Sequence, residues 1–390
     1  MPRYDVIVVG AGPAGSTTAY RLARAGARVC LLDRARFPRD KPCGGGLTLR
    51  AVRELPFAVD PVVEDRVSTL ELGLRYTRRW SRRSQEPLIL MTQRRRLDAF
   101  LAEQAARAGA EFRDGVKVTG VDPGGAVTIG GERLEAEVVV GADGANGITA
   151  RSLDLPPHEH GVALEGNVEY AHVSRERFSG RAVVELGAVP GGYAWVFPKG
   201  DHVNVGVGGW ASIGPRARED LRVLCERHDI DPARVTDTRG HRLPMRRPGA
   251  RLVRTNTLLV GDAAGLIDPV SGDGIYEALV SARLATTAIL ELLAGRAESL
   301  DAYDGAVRRA LDPVASAGWG AKVALDRFPG VVFAIMRLPV TWRALEKIIT
   351  GELGAPSAAR GAERRAMKLI ELLARRAGDP GRAYKAVPAS

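Results

Sequence analysis

The stretch VIVVGAGPAG, from Val6 to Gly15, predicts how the first part of this 390-residue chain folds. An apolar run typical of a buried strand leads into three glycines, and apolar residues at helical spacing follow directly after them. In such a turn Gly10 permits a tight reversal, Gly12 lets a pyrophosphate approach the backbone, and Gly15 lets the helix pack on the strand. The N-terminus of the helix attracts negative charge. The stretch therefore predicts a dinucleotide site whose contacts are Gly10, Gly12, Pro13, Ala14 and Gly15.

The next predicted strand, RVCLLD, ends in an acidic residue, Asp33, about 20 residues after the glycine turn. A carboxylate at this place accepts hydrogen bonds from ribose hydroxyls in dinucleotide-binding folds. We therefore expect Asp33 and the following Arg34 to contact the adenosine half of the ligand.

Two further strands, in VVVGADG (residues 138–144) and LLVGDAAG (residues 258–265), are each followed by an aspartate, Asp143 and Asp262. A carboxylate beside a buried strand is costly unless it has polar partners. The loop DPVSGDGIYEAL then leads into a long helix from about Gly274, whose positive end would stabilise negative charge on a reduced flavin. The alternative is that both aspartates cap strand ends. Two aspartates with matching glycine neighbours favour a flavin.

Composition fits a soluble α/β enzyme, with 45% hydrophobic residues and 45 glycines. The net charge of +10 suits nucleic acid, an anionic membrane surface or a diphosphate. The sequence contains no basic recognition helix, zinc-finger spacing or aromatic ribonucleoprotein motif, so we expect no nucleic-acid partner.

The three cysteines, Cys30, Cys43 and Cys225, have no metal-ligand spacing, and we expect no metal site. The N-terminal apolar run is too short for a signal peptide, and no apolar run is long enough to cross a bilayer. We therefore expect a reduced, cytoplasmic protein.

A second unusual stretch, PGGYAWVFPKGDHVNVGVG, spans residues 190–208. Because side chains alternate along a strand, Tyr193, Trp195 and Phe197 share one face. PKGDH supplies a turn, and the strand after it has one valine face and one nearly bare face. The bare positions are Asn204, Gly206 and Gly208. The hairpin offers either an aromatic platform for a ligand or, as the alternative, aromatic residues packed into a core.

These motifs together resemble the FAD-dependent monooxygenase-like superfamily and, within it, the geranylgeranyl reductase family. The likeness covers residues 1 to about 330. The glycine turn, GADG and GDAAG resemble the FAD signatures, whereas FPRDKPCGGGL (Phe37–Leu47) and YAWVFPKGDHVNVGVG resemble the markers of the reductases. By position, Arg94 resembles the arginine near the flavin ribityl chain. Asp33 departs from the glutamate usual in the family, although the shorter acid can still reach a ribose.

The resemblance implies an α/β (α+β overall) fold: a Rossmann-like FAD-binding domain, an inserted antiparallel sheet domain for substrate and a C-terminal helical region. We assign residues 1–50, 88–154 and 251–300 to the discontinuous FAD domain. Residues 51–87 and 155–250 form the sheet domain, and residues 301–390 form the helical region. Further FAD contacts are expected at Cys43, Gly44, Gly45, Arg94, Asp143, Gly144, Gly261, Asp262, Gly272, Gly274 and Ile275.

The activity implied is an FAD-dependent reductase that saturates isoprenoid C=C bonds, with NAD(P)H as a transient reductant. The substrate stays open among a menaquinone side chain, geranylgeranyl diphosphate, a prenylated phospholipid and a chlorophyll-type ester. Cys43 and Tyr193 are the candidate proton donors, and a purely structural small residue is the alternative for Cys43. Substrate contacts are expected at Tyr193, Trp195, Phe197, Asn204 and Gly206.

Two other activities compete with this interpretation. One is a flavin monooxygenase or halogenase that acts on an aromatic substrate, and the other is a flavin-holding isoprenoid carrier without turnover. The C-terminal segment mixes apolar residues with Arg337, Arg343 and Lys347, which predicts peripheral contact with an anionic membrane at its inner face. Helices that only cap the cavity are the alternative.

Overall fold

The computed structural model describes residues 4–155 and 159–378. In chain order its strands are β1 (Tyr4–Val9), β2 (Val29–Leu32), β3 (Gly46–Thr48), β4 (Asp65–Val67), β5 (Thr69–Leu74), β6 (Arg78–Arg83), β7 (Ile89–Met91), β8 (Glu111–Arg113), β9 (Val118–Asp122), β10 (Ala126–Ile129), β11 (Glu132–Gly141), β12 (His160–Glu169), β13 (Arg181–Leu186), β14 (Tyr193–Pro198), β15 (His202–Trp210), β16 (Thr236–Pro244), β17 (Val253–Arg254) and β18 (Thr257–Leu259). The α-helices are α1 (Pro13–Arg24), α2 (Leu49–Glu54), α3 (Arg94–Arg107), α4 (Thr149–Ser152), α5 (Arg175–Phe178), α6 (Ala217–Arg227), α7 (Ile275–Leu293), α8 (Asp301–Arg327), α9 (Pro329–Met336), α10 (Pro339–Thr350) and α11 (Gly361–Ala377).

The first sheet has the strand order β17-β18-β11-β1-β2-β8, and all of these pairs except β17–β18 are parallel. Its central strands are continuous apolar runs because helices cover the faces of a parallel sheet. The carboxyl ends of β1, β2, β11 and β18 lie at one edge of the sheet. That edge therefore collects the glycine turn and the acidic residues that follow the strands, where open α/β sheets bind their ligands.

The second sheet has the order β16-β12-β15-β14-β13-β5-β6, with one parallel pair, β13–β5. One face packs against α6 through an apolar cluster that includes Val203, Val205 and Val207. In the β14–β15 pair, Trp195 lies opposite Gly206 and Phe197 lies opposite Asn204. This register confirms the predicted alternation of the hairpin, with valines on one face and aromatic residues on the other.

A third sheet has three short strands in the order β3-β7-β4. It joins residues on both sides of the predicted division at residue 88, because β7 pairs with β3 and with β4. The division into domains therefore stays a prediction at this point of the chain.

The C-terminal helices follow both sheets along the chain. Helix α8 packs against α7 and α11, and α10 contacts α9 and α11. Within residues 4–155 and 159–378, no helix has both the length and the apolar character needed to span a membrane.

Candidate active site

A cavity of about 940 Å³ runs between the two large sheets and the C-terminal helices. One end is polar and is formed by the glycine turn, the loop of residues 37–47 and the strand ends of the first sheet. The other end is apolar and is formed by the second sheet and by helices α8 to α11. The nucleotide motifs and the aromatic hairpin therefore line one continuous space.

The glycine turn is shaped by contacts that exclude side chains at two of its three glycines. Gly10 has a φ of +105°, and a Cβ there would lie 2.2 Å from the carbonyl oxygen of Ala142. A Cβ at Gly15 would lie 1.8 Å from the carbonyl oxygen of Gly10, which explains the close packing of α1 on β1. At Gly12 the space is open, and the nearest groups are the guanidinium nitrogens of Arg39 and Arg94, both at 3.7 Å.

Two arginines surround this open space, and one acidic residue holds both. Asp98 is fully buried and accepts two hydrogen bonds of 2.7 Å from Arg94. Its carboxylate also lies 2.8 Å from Nη1 of Arg39. Two guanidinium groups beside the uncapped N-terminus of α1 form a cradle for a diphosphate, so the residues present fit FAD. Arg94 is one of the residues predicted from the sequence, whereas Arg39 is not, although it lies within FPRDKPCGGGL.

Asp33 lies at the end of β2 and is 8% exposed. Its carboxylate accepts hydrogen bonds from the backbone N–H of Ala11 at 2.8 Å and of Ala35 at 2.9 Å. Asp33 therefore fixes the glycine turn as well as facing the cavity, and Arg34 lines the cavity beside it.

Asp262 faces two side chains inside the cavity, Lys41 and His241, that were not singled out from the sequence. Lys41 Nζ lies 2.7 Å from its carboxylate, and His241 Nε2 lies 3.7 Å away. Burial alone would raise the pKa of the Asp262 carboxyl, but Lys41 and His241 outweigh it and hold the pKa well below its usual range. Asp262 is therefore a carboxylate with a cationic partner, next to Gly261 and close to Gly274.

Asp143 has a different environment. Its Oδ2 accepts hydrogen bonds from the backbone N–H and the hydroxyl of Thr149, at the start of α4. Its Oδ1 is buried without a hydrogen-bond partner, and burial raises the pKa of this carboxyl. The side chain is therefore held against the first residue of α4, and Asp143 and Gly144 also line the cavity.

The CGGG loop is held by polar groups of the second sheet. Glu165 Oε1 accepts a hydrogen bond of 2.7 Å from the backbone N–H of Cys43. Lys199 Nζ donates to the carbonyl oxygens of Gly44 and of Thr92. Lys199 is 3% exposed, and burial lowers its pKa to about 8.

Neither Glu165 nor Lys199 was singled out from the sequence. Lys199 lies in PKGDH, which we interpreted only as a turn. Burial also raises the pKa of the Glu165 carboxyl, against the opposing effects of the hydrogen bond from Cys43 and the charge of Lys199.

The aromatic residues of β14 form a continuous wall. The ring centroids of Tyr193 and Trp195 are 5.9 Å apart, and those of Trp195 and Phe197 are 6.1 Å apart. All three residues line the cavity, and Phe197 packs against Gly44 of the CGGG loop. The wall therefore faces the cavity rather than a closed core.

The structure corrects the expected roles of Asn204 and Gly206. Neither residue is among the described residues that line the cavity. The ring of Trp195 lies over Gly206, where a Cβ would come within 2.1 Å of it. Asn204 Oδ1 accepts a hydrogen bond of 2.8 Å from Nε1 of Trp195. The bare face therefore seats the indole instead of contacting a ligand.

The remaining predicted residues also lie at the cavity. Gly272, Gly274 and Ile275 line it at the start of α7.

The two candidate proton donors both form hydrogen bonds. The Tyr193 hydroxyl donates a hydrogen bond to the carbonyl oxygen of Ser271, and burial raises the pKa of this phenol. Its proton is therefore engaged with the backbone. Cys43 Sγ accepts a hydrogen bond of 3.3 Å from the N–H of Gly45.

Comparisons with known proteins agree with this geometry. Residues 3–315 match the FAD binding domain family. Menaquinone reductase of Mycolicibacterium smegmatis is 34% identical over 311 residues, which cover 73% of this chain and 75% of that protein. Geranylgeranyl diphosphate reductase of Arabidopsis thaliana chloroplasts is 30% identical over 313 residues, which cover 73% of this chain and 65% of that protein.

Solved structures show the same fold. A geranylgeranyl bacteriochlorophyll reductase-like protein from Thermoplasma acidophilum matches with a TM-score of 0.74 at 25% identity, covering 95% of this chain and 99% of that one. A flavin-dependent brominase matches with a TM-score of 0.76 at 18% identity, covering 96% and 99%, which is a likeness of fold alone. The diphosphate cradle, the matched FAD domain and these relatives lead to one conclusion: the chain belongs to the geranylgeranyl reductase family of FAD-dependent oxidoreductases.

Proposed function

We propose that this enzyme reduces isoprenoid C=C bonds in the prenyl chain of a lipid, with hydride that derives from NAD(P)H. The observation that carries the proposal is the continuous cavity, which joins a diphosphate cradle to an apolar space walled by three aromatic residues. The relatives named geranylgeranyl diphosphate reductase and menaquinone reductase support this substrate class. Within it we propose a menaquinone side chain first, and geranylgeranyl diphosphate or a prenylated phospholipid after it.

The apolar end of the cavity suits a hydrocarbon chain. An isoprenoid chain has no hydrogen-bonding groups, so its binding depends on buried apolar area, at roughly 25 cal/mol per Å² before ordering costs. Leu72, Leu186 and Leu325 line this end together with the aromatic wall. A chain that enters here reaches the CGGG loop alongside Phe197.

The side chains of the polar end have separate tasks. Arg39 and Arg94 would bind the diphosphate of FAD, and Asp33 would hold the turn that meets it. When bound and reduced, FAD would supply the hydride. The aromatic wall would orient the alkene, and helices α8 to α11 would exclude water from the reacting atoms.

We propose a transient encounter for NAD(P)H. The sequence carries one glycine fingerprint of the strand–turn–helix type, and that fingerprint belongs to the FAD cradle. A reductant that binds and leaves needs no second nucleotide fold. The excess of arginine favours NADPH, because guanidinium groups bind an additional phosphate well.

The test is an anaerobic experiment in two halves. FAD-loaded protein is reduced with NADPH or NADH, then mixed with each candidate prenyl lipid, and the lipids are analysed by mass spectrometry for added pairs of hydrogens. Reoxidation of the flavin with hydrogenated lipid as product is the expected result. Flavin that stays reduced with every lipid would favour a carrier. Turnover that requires oxygen and an aromatic substrate would favour a monooxygenase or halogenase.

A further inference from the structure

Glu165 projects into the cavity beside the aromatic wall. In the β12–β15 pair it lies directly opposite Gly206, and Gly206 lies directly opposite Trp195 in the β14–β15 pair. Residues that are directly opposite in neighbouring strands point to the same face of the sheet. The carboxyl group therefore rises from the face that carries Trp195, and Glu165 is one of the residues that line the cavity.

The hydrogen bond from Cys43 places this carboxyl against the CGGG loop. Oε1 accepts the backbone N–H of Cys43 at 2.7 Å. Among residues 4–155 and 159–378, no donor forms a hydrogen bond with Oε2. The carboxyl is thus fixed at one oxygen, and the other oxygen is available to hold a proton.

Other acidic groups at the cavity differ from Glu165 in their partners or their place. Asp143 also has an oxygen without a hydrogen-bond partner, but it lies just after the end of β11 in the first sheet, not on the sheet that carries the aromatic wall. Asp262 is bound to Lys41, and both oxygens of Asp33 accept backbone N–H groups. The Tyr193 hydroxyl donates a hydrogen bond to the Ser271 carbonyl oxygen. Burial raises the pKa of Glu165, so this carboxyl keeps its proton at a higher pH than an exposed glutamate does.

We propose that Glu165 is the acid that protonates the alkene, a role that rests on the proposed reduction of isoprenoid C=C bonds. One alkene carbon receives the hydride that reduced FAD supplies, and the other forms its new C–H bond with the proton on Oε2 of Glu165. The alkene gains two electrons and two hydrogens, and the flavin returns to its oxidised form. Glu165 is left as a carboxylate, which solvent reprotonates after the product has left the cavity.

Several charged groups face this carboxyl and set its pH response. Lys199 lowers its pKa, Arg94 does so more weakly, and Asp40 raises it. Arg239 lies opposite Glu165 in the β12–β16 pair. The backbone N–H of Cys43, in the CGGG loop, donates a hydrogen bond to Glu165. Since the protonated form is the active one, lipid reduction should fall as the pH rises through the pKa of Glu165.

The test compares Glu165→Gln with a matched control, Glu169→Gln, which removes an exposed carboxyl from the same strand. Glutamine keeps an oxygen for the N–H of Cys43 but has no proton acid enough to donate. We expect reoxidation of reduced flavin by the prenyl lipid to slow about 100-fold or more, the range for removal of a general acid. Reduction by NADPH and the affinity for FAD should stay at wild-type values, and Glu169→Gln should match wild type throughout.

A second measurement does not depend on turnover. Infrared difference spectra of the FAD-free protein across a pH titration should show a protonated carboxyl band that persists above the ordinary range for glutamate. This band should lose the contribution of one carboxyl in Glu165→Gln, where other buried carboxyls such as Asp143 still contribute, and should keep its wild-type intensity in Glu169→Gln. Equal band intensity in wild type and Glu165→Gln would overturn the role of Glu165 as a proton donor.

The experiments distinguish a failure of the role of Glu165 from a failure of the proposed reduction. If wild-type protein reduces a prenyl lipid and Glu165→Gln does so equally fast with the same pH profile, then Glu165 is not the acid and the proposed reaction stands. If wild-type flavin is never reoxidised by a prenyl lipid, both proposals fail. A slower Glu165→Gln variant that also loses FAD affinity would show that Glu165 only positions the loop, which overturns its role as the acid.

Discussion

A methyl group at Gly12 would enter the space between two guanidinium groups without meeting the backbone. Gly12 has φ −78° and ψ −174°, which alanine adopts freely. The nearest atoms to a Cβ are 3.7 Å away, on Arg39 and Arg94. At this residue, therefore, the need for glycine comes from the ligand and not from the fold.

We predict that Gly12→Ala folds with an unchanged melting temperature in the FAD-free state but binds FAD about tenfold more weakly or worse, a loss of ~1.4 kcal/mol. Equilibrium titration of FAD fluorescence measures the affinity. Gly15→Ala is the contrasting variant, because its Cβ would lie 1.8 Å from the Gly10 carbonyl oxygen and should destabilise the protein itself. Wild-type FAD affinity in Gly12→Ala would mean that the diphosphate binds elsewhere.

The lowered pKa of Lys199 predicts how the free energy of unfolding depends on pH. Burial lowers its pKa to about 8 in the folded protein, whereas an unfolded lysine titrates near ~10.4. Between these values the unfolded chain binds a proton that the folded chain has released, so the contribution of Lys199 to stability rises with pH.

We expect the difference in unfolding free energy between wild type and Lys199→Gln to grow in favour of wild type from about pH 8 to about pH 10. Urea unfolding of both proteins at several pH values gives this difference. Lys322, whose pKa burial also lowers to about 8, is present in both proteins and cancels. Parallel stability curves would show that Lys199 does not titrate in this window.

In the β14–β15 hairpin, the register could be predicted from the sequence, but contact with the cavity could not. The alternation of aromatic and small residues determines which side chains share a face, and the register follows from it. Contact with the cavity does not follow, because it depends on what packs on each face. Valines pack under α6 on one side, and Trp195 covers Gly206 on the other, so the bare stripe is filled from within the hairpin.

Contacts between charged residues that are far apart in the chain also could not be predicted from the sequence. Lys41 and Asp262 are 221 residues apart in the chain, and Cys43 and Glu165 are 122 apart. Strand ends and glycine turns can be predicted from the local sequence pattern. The burial of a lysine in a turn cannot, because no local pattern indicates it. One signal was available, because Arg39 and Lys41 both lie in the quoted FPRDKPCGGGL.

The wall itself can be tested with two substitutions on β14. Trp195→Ala removes an indole from the cavity side and should slow reoxidation by prenyl lipid while leaving flavin reduction normal, with a loss in binding of a few kcal/mol at most. Val196→Ala removes a fully buried side chain from the opposite face and should lower the melting temperature without changing either half-reaction. Stopped-flow traces of the two halves measure both effects. Normal reoxidation in Trp195→Ala would make the wall purely structural.

At the scale of the whole molecule, the C-terminal helices separate the apolar end of the cavity from the outside. Met336, Ile349 and Ile370 line the cavity from α9, α10 and α11. Other apolar side chains of this region are exposed by more than two fifths. They are Val331 at 46%, Leu338 at 43%, Leu369 at 47% and Leu372 at 49%.

Cationic side chains accompany this exposed apolar surface. The exposed cations are Arg343 on α10, Lys368 and Arg375 on α11, and Arg337, which directly follows α9. The edge strand β6 adds exposed arginines, and its Arg82 donates a hydrogen bond to the Arg337 carbonyl oxygen. Apolar side chains beside positive charge suit the surface of an anionic bilayer, from which a prenyl lipid could enter the cavity between these helices.

We therefore expect FAD-loaded protein to float with vesicles that contain phosphatidylglycerol and to bind phosphatidylcholine vesicles much less. Leu369→Ser with Leu372→Ser should weaken binding to both, because it removes exposed apolar area that inserts at the interface. Lys368→Ser should weaken binding only to the anionic vesicles, and Arg107→Ser, an exposed cation on α3, should leave it unchanged. Reduction of FAD by NADPH should be equal in all of them, since none of these residues lines the cavity. Flotation that ignores both lipid charge and the leucine substitutions would limit the C-terminal helices to closing the cavity.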